Sequence, residues 1–157
     1  MKTYFYDDFK IGDKFSSGPY KVTAEEIKEF ASKYDPQLFH LDDEKAKKTI
    51  FNGLCASGWH TAAMSMNLLI KALPPIEGGM IGRSIEKMQW HRPVRPGDEL
   101  HYECEILQMR ASRSKPELGI IHGRSTTLNQ DGQPVQTLEV VMIAPRRTSA
   151  PKSGPTI

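Results

Sequence analysis

Residues 54–73 read LCASGWHTAAMSMNLLIKAL, the one stretch apolar enough to suggest a membrane span. Its apolar residues recur periodically rather than continuously, and His60, Asn67 and Lys71 interrupt them. This pattern predicts a buried core helix instead of a transmembrane segment. At about 1.5 Å per residue, such a helix would span about 30 Å and cross a whole small domain. Pro74-Pro75 end it.

The two faces of this predicted helix differ in side-chain size. One face is apolar, formed by Trp59, Ala62, Ala63, Met66, Leu69, Ile70 and Leu73. The opposite face carries Ser57, Gly58, Thr61 and Ser65. Small residues on both faces predict that the rest of the chain wraps closely around the helix.

Two helical segments precede the long helix. Residues 22–34 begin with Thr23, and Glu26 three positions later forms a capping-box pattern. Asp35-Pro36 ends this helix, because the residue before a proline is disfavoured in the helical region. A short irregular turn and a polar helical segment at about 42–48 follow.

After Gly78-Gly79 the pattern changes to the two-residue period of strands. Residues 100–106, 118–128 and 135–143 form predicted strands, residues 80–90 form another, and Asp131-Gly132 is a hairpin turn signal. Helices first, followed by three or four antiparallel strands around one apolar helix, predict an α+β fold.

Composition restricts the class of protein. The chain has 157 residues, 38% hydrophobic and 25% charged, which fits one globular domain. We assign residues 1–145 to this domain and 146–157 to a mobile tail. The net charge of +2 argues against nucleic-acid binding. Cys55 and Cys104 form no zinc motif, and the first residues carry no signal-peptide apolar core, so a reducing cytoplasm is expected.

Asp35 and His40 are candidates for acid–base chemistry. They lie five residues apart across a proline-containing turn, where a carboxylate and an imidazole can share one water molecule. On spacing alone a structural interpretation is the better one, because Asp before Pro often ends a helix and His40 lies between Phe39 and Leu41.

Gly53 is a second candidate. A glycine at the opening of a buried helix would let a ligand carbonyl approach free backbone N–H groups, as in an oxyanion hole. An ordinary helix cap formed by Asn52-Gly53 is the competing interpretation, and on this motif alone it is the better one.

Three motifs in order resemble the MaoC-like dehydratases. Residues 30–42, FASKYDPQLFHLD, resemble the segment FA-x-x-x-D-x-N-P-x-H-x-D of that family. Residues 51–61, FNGLCASGWHT, are similar to its glycine-opened central helix, and residues 90–100, WHRPVRPGDEL, to its PV-x-PGD-x-L loop. The likeness runs from about Phe9 to Ala144, with Gln37 in place of the motif's asparagine and Leu38 in place of its proline.

The resemblance implies a hot-dog fold, in which an antiparallel sheet wraps around a long central helix. It implies reversible addition of water to a trans-2-enoyl thioester of fatty acid metabolism, giving an (R)-3-hydroxyacyl thioester. Asp35 and His40 would then be the catalytic dyad, the Gly53 N–H would polarise the thioester carbonyl, and Thr61 would lie near the dyad. Ser57 would bind substrate or serve only in helix packing.

By the same resemblance, coenzyme A is the expected carrier and no metal, nucleotide or redox cofactor is needed. The chain would form a homodimer or a higher homo-oligomer with the acyl pocket at the interface. Two alternatives are a hot-dog thioesterase, disfavoured because residues 54–73 contain no Asp or Glu to activate water, and a non-catalytic acyl-thioester binder, disfavoured because the dyad is present.

Overall fold

The computed structural model describes residues 2–147, which form one antiparallel sheet and several helices. The five strands have the spatial order β1-β3-β4-β5-β2, so β1 and β2 are the two edges. Their bounds are β1 Lys14–Lys21, β2 Ile81–Trp90, β3 Glu99–Ala111, β4 Leu118–Leu128 and β5 Pro134–Pro145. The predicted α+β class is confirmed.

Four α-helices lie between β1 and β2. Their bounds are α1 Ala24–Tyr34, α2 Leu38–Leu41, α3 Asp43–Ala46 and α4 Gly58–Ala72, and a 3₁₀ turn covers Tyr6–Asp8. Thr23 caps α1 as predicted, since its hydroxyl accepts the Glu26 N–H at 3.2 Å. The turn predicted at 35–40 contains α2, which carries His40.

The strand pattern was predicted well except at the N-terminus. The four predicted strands correspond to β2 through β5, each within a few residues. β1 was not predicted, because Ser17, Gly18 and Pro19 interrupt any regular alternation there. β1 nevertheless pairs with β3, with a register irregularity between Ser17 and Tyr20.

The central helix is shorter than residues 54–73, and this prediction was wrong at its first turn. α4 begins at Gly58, because the preceding residues are bound in extended backbone pairings. The Cys55 N–H donates to Phe39 O at 3.1 Å, and the Ala56 N–H donates to Val94 O at 2.9 Å. These bonds fix the approach to α4 against both the dyad segment and the β2–β3 loop.

The face of α4 that packs into the core combines small hydroxyl residues of one predicted face with large apolar residues. Buried α4 residues are His60, Thr61, Met64, Ser65, Leu68 and Leu69. Trp59, Met66 and Ile70 are instead 61%, 54% and 64% exposed. Small hydroxyl residues let the helix approach the sheet closely, and their polar atoms are paired: Ser65 Oγ lies 2.6 Å from Thr127 Oγ1.

At the C-terminal end, Arg146 and Arg147 contact the N-terminal 3₁₀ turn. The Arg147 guanidinium lies 2.5 Å from Asp8 Oδ2, and the Arg147 N–H donates to Asp7 Oδ2 at 2.8 Å. The rest of the predicted mobile tail, residues 148–157, lies outside the described residues. Among residues 2–147, no helix combines the length and apolar character required to cross a membrane.

Candidate active site

Asp35 and His40 lie side by side at the junction of α1 and α2. Asp35 is the C-terminal cap of α1, and His40 lies in the single turn of α2. His40 Nε2 is 3.3 Å from Asp35 Oδ2. The predicted proximity of the two side chains is therefore present, and both line the same groove.

Asp35 is held in its ionised form by its hydrogen-bond donors. Ser57 Oγ donates to Asp35 Oδ2 at 2.7 Å, and Gln37 Nε2 donates to Oδ1 at 2.7 Å. Burial opposes ionisation, but the bonds from Ser57 and Gln37 and the neighbouring His40 together lower the pKa of Asp35 below its ordinary value. A lowered pKa makes this carboxylate a hydrogen-bond acceptor at neutral pH.

The orientation of His40 is fixed by a backbone carbonyl. His40 is buried, and its Nδ1 lies 2.6 Å from Cys55 O. A carbonyl oxygen only accepts, so Nδ1 carries a proton, and Nε2 is the ring nitrogen that faces Asp35. The Phe39 ring contacts the imidazole edge-on, with centroids 4.5 Å apart, and further restricts its orientation.

The dyad opens into a groove of about 470 Å³ with mixed walls. Its polar residues near the dyad include Gln37, Ser57 and Thr61. Its apolar walls are formed by Phe39, Phe51, Ala56, Trp59, Trp90 and Val94. Such a cleft, mainly apolar with a few converging polar groups, is the usual form of a small-molecule site.

The N-terminus of α4 forms one wall of this groove. Ser57 is the N-cap residue, yet its hydroxyl makes no bond to the first-turn amides because it donates to Asp35 instead. Gly58, the first helical residue, lines the groove, and a side chain there would meet the Trp90 ring at 2.7 Å. The first amides of a helix have no intrahelical partner and favour negative charge.

Gly53 does not fit its predicted role, in which its N–H would donate a hydrogen bond to the thioester carbonyl. Its N–H donates to Ala46 O at 3.1 Å, and it lies before α4 rather than at its opening. Its φ of +149° and the left-handed Asn52, φ 50°, mark a tight turn. Glycine is needed at this position for backbone conformation. The sequence did not indicate Gly58 as the opening residue of α4, although a serine followed by glycine, as in Ser57-Gly58, is typical of a helix N-terminus.

Thr61 lies where it was predicted, one turn into α4 and on the groove wall. It is buried, and its hydroxyl donates to Ser57 O at 3.3 Å. Thr61 therefore supports the residue that contacts Asp35.

Two other histidines lie close to the site. His60 is stacked on Phe30 with ring centroids 4.7 Å apart, and its Nε2 lies 3.7 Å from Glu26 Oε1. Burial lowers the pKa of His60, and the charge on Glu26 opposes that shift. His91 is exposed, lines the groove and contacts Thr137 Oγ1 at 2.8 Å. In the described part of the chain, no group of three or more His, Cys, Asp or Glu side chains could hold a metal ion.

Comparison with known proteins identifies the family. The sequence model of the MaoC like domain matches residues 8–127. The uncharacterized protein YdeM of Bacillus subtilis is 39% identical over 124 residues, covering 79% of this chain and 86% of YdeM. The MaoC-like dehydratase of Rhodospirillum rubrum is 44% identical with a TM-score of 0.86, covering 92% of this chain and 99% of that one. The (R)-hydratase of A. caviae, involved in PHA biosynthesis, is 25% identical with a TM-score of 0.67, covering 85% and 96%.

The sheet wrapped around α4 is the hot-dog fold, and the chain belongs to the MaoC-like domain family. Membership supports hydratase or dehydratase chemistry in the broad sense.

Proposed function

We propose that the protein is a hydro-lyase that adds water reversibly to a trans-2-enoyl thioester and forms an (R)-3-hydroxyacyl thioester. The observation that carries this proposal is the close pair of Asp35 Oδ2 and His40 Nε2, 3.3 Å apart on the wall of a largely apolar groove. The likeness to the (R)-hydratase of A. caviae supports the same reaction class.

The dyad would bind and activate one water molecule. With Asp35 ionised and His40 protonated on Nδ1, both facing atoms are acceptors, and a water that donates one O–H to each satisfies them. The water oxygen then attacks the β-carbon while the dyad takes up one proton. The α-carbon of the resulting enolate receives one proton back, so the dyad returns to its starting state.

The thioester carbonyl would lie against the N-terminus of α4. Negative charge develops on this oxygen when the β-carbon is attacked, and the first helix amides, at Gly58 and Trp59 on the groove wall, would receive it. Gly58 has no side chain to keep the carbonyl away, which explains glycine at this position.

The acyl chain would lie along the apolar walls of the groove, and coenzyme A is the carrier we propose. The tilted rings of Phe39 and Phe51 have centroids 4.9 Å apart, and Trp59 meets Trp90 edge-on with centroids 5.5 Å apart. These two aromatic pairs give the groove the surface that a hydrocarbon chain requires.

We also propose a homodimer, in which a second copy covers the apolar stripe of α4, formed by Trp59, Met66 and Ile70. The stripe continues onto edge strand β2 through the contact of Trp59 with Trp90. An exposed edge strand next to exposed apolar side chains tends to bind another chain, and pairing with a second copy would bury both the strand edge and the apolar side chains.

The test is hydration of a panel of 2-enoyl-CoA thioesters by the protein and by dyad variants. Asp35→Asn and His40→Ala should each remain folded and lose about 10²- to 10⁴-fold in rate, the range for a positioned acid or base. Loss of the enoyl absorbance measures the rate. A His40→Ala variant that hydrates every accepted substrate at the normal rate would overturn the mechanism.

A further inference from the structure

The loop between β2 and β3 carries Arg95, whose guanidinium binds three backbone carbonyls of a single turn. Its Nη1 donates to Gly53 O at 2.8 Å and to Leu54 O at 3.2 Å, and its Nη2 donates to Phe51 O. Arg95 is half-buried, and it is not among the residues that line the groove. It touches the backbone that leads into the site rather than the site itself.

This turn leads directly into the carbonyl that orients His40. Cys55 O accepts from His40 Nδ1 at 2.6 Å, and Cys55 follows Leu54, whose own carbonyl is bound by Arg95. The Cys55 N–H is fixed to Phe39 O at 3.1 Å. One residue of extended backbone therefore connects the carbonyl that the guanidinium binds to the carbonyl that the His40 imidazole binds.

The three carbonyl oxygens of the turn at residues 51–54 are best bound by a cation that has several hydrogen-bond donors in fixed positions. Asn52 at φ 50° and Gly53 at φ +149° bring three carbonyl oxygens together around one guanidinium. Converging carbonyl dipoles repel one another unless donors lie between them. A planar guanidinium offers donors in a rigid fork, whereas a lysine ammonium is a compact point charge on a flexible stem.

We infer that Arg95 is a positioning residue, which holds Cys55 O in place and thereby keeps the proton of His40 on Nδ1. The Nε2 lone pair then stays directed at Asp35 and the groove. The effect on rate rests on the proposed function, but the effect on the His40 tautomer does not.

The experiment compares Arg95→Ala and Arg95→Lys with the unchanged protein. Two-dimensional ¹H–¹⁵N NMR of the imidazoles reports the His40 tautomer, and steady-state kinetics on an accepted enoyl-CoA reports kcat and KM. We expect both variants to show a mixture of His40 tautomers. We expect kcat to fall by about 10- to 100-fold, as for small displacements of a reacting group, while KM changes little. Free guanidinium should restore Arg95→Ala in part and Arg95→Lys hardly at all.

Arg110→Ala is the matched control, because Arg110 is exposed on β3 and bonds weakly, at 3.5 Å, to Ala111 O. It should leave the tautomer and the rate unchanged. If Arg95→Ala does not fold, Arg95→Lys carries the same comparison. An unchanged His40 tautomer in a folded Arg95 variant would overturn the inference even if hydration is real. A shifted tautomer would support it even if no enoyl thioester is hydrated.

Discussion

Ser57 connects the beginning of α4 to the dyad. Its hydroxyl donates to Asp35 Oδ2, the same oxygen that faces His40 Nε2, and Gln37 holds the other oxygen. Both carboxylate oxygens therefore have fixed partners, and the direction of the remaining lone pairs is determined. Ser57 was considered from the sequence as a substrate contact or a packing residue, and its contact with Asp35 was not predicted.

Replacing Ser57 with alanine should raise the pKa of Asp35 toward its ordinary value. A carboxyl group with a lowered folded-state pKa adds stability above its unfolded-state pKa and loses it as the pH falls through the folded-state pKa. In Ser57→Ala this loss begins at higher pH. At neutral pH the free energy of unfolding should fall by about 1.5–3 kcal/mol, the value of a hydrogen bond to a charged group.

A ¹³C NMR titration of the Asp35 carboxyl carbon measures this shift directly. Ser32→Ala is the matched control, since Ser32 is exposed on α1 and its hydroxyl bonds to Glu29 O. An Asp35 titration that is the same in Ser57→Ala and in the unchanged protein would contradict the role given to Ser57.

At the residue scale, the sequence predicted the dyad but not its partners. Asp35 and His40 were recognisable because a motif preserves their types and spacing. The orientation of His40 depends on Cys55 O, a backbone atom, and every residue type supplies such an atom. No side-chain pattern could have indicated it.

The element that determines the geometry of the groove is the first turn of α4. Hydrophobic periodicity extended the predicted helix to Leu54, because periodicity alone cannot distinguish a buried helix from a buried extended segment. The tertiary hydrogen bonds of Cys55 and Ala56 decide the matter in favour of extended chain. As a consequence the first helical amide belongs to Gly58, five residues after the glycine that the sequence resemblance indicated.

Gly58→Ala should damage the site without removing any functional side chain. An added Cβ would lie 2.7–3.0 Å from three atoms of the Trp90 ring, so the indole must move. Its Nε1–H bond to Gln136 Oε1, 2.9 Å, would be lost. We expect overpacking to lower the free energy of unfolding by about 1–3 kcal/mol. We expect kcat/KM to fall about 10²-fold, because the displaced Trp90 ring changes the shape of the groove.

Tryptophan fluorescence and steady-state kinetics check this prediction together. Gly82→Ala is the control for folding, since nothing lies within 4 Å of an added Cβ there. It should keep the tryptophan spectrum and the unfolding midpoint. Unchanged fluorescence and kcat/KM in Gly58→Ala would show that the first turn of α4 does not shape the groove.

For the whole molecule, the orientation of α4 is the feature that the sequence did not predict. An amphipathic helix in a monomer normally buries its most apolar face. α4 buries Thr61 and Ser65 along with Met64, Leu68 and Leu69, and it leaves three large apolar residues exposed, namely Trp59, Met66 and Ile70. The pattern of one chain does not reveal which of two faces meets its own sheet and which meets a second molecule.

A charge placed on the apolar stripe of α4 should therefore separate the subunits. Met66→Glu and Ile70→Glu add a carboxylate to a surface that we expect to be buried against the second copy, and an unpaired buried charge is strongly unfavourable. We expect the unchanged protein to be dimeric or larger by light scattering and the two variants to be monomeric. Gln108→Glu adds the same charge at an exposed position of β3 and should stay dimeric. A fully active monomer of the unchanged protein would contradict the proposed assembly.

The measurement that tests the central claim most directly follows enoyl absorbance and free thiol together. The protein is incubated with a saturated and a 2-unsaturated acyl-CoA. In the proposed mechanism Asp35 and His40 bind the water, and the carbonyl oxygen lies at the N-terminus of α4, a helix without any Asp or Glu. This arrangement favours attack on the β-carbon over attack on the carbonyl carbon. We predict loss of enoyl absorbance, formation of the (R)-3-hydroxyacyl thioester and no thiol release. Rapid thiol release from the saturated substrate, abolished by Asp35→Asn, would instead identify a thioesterase.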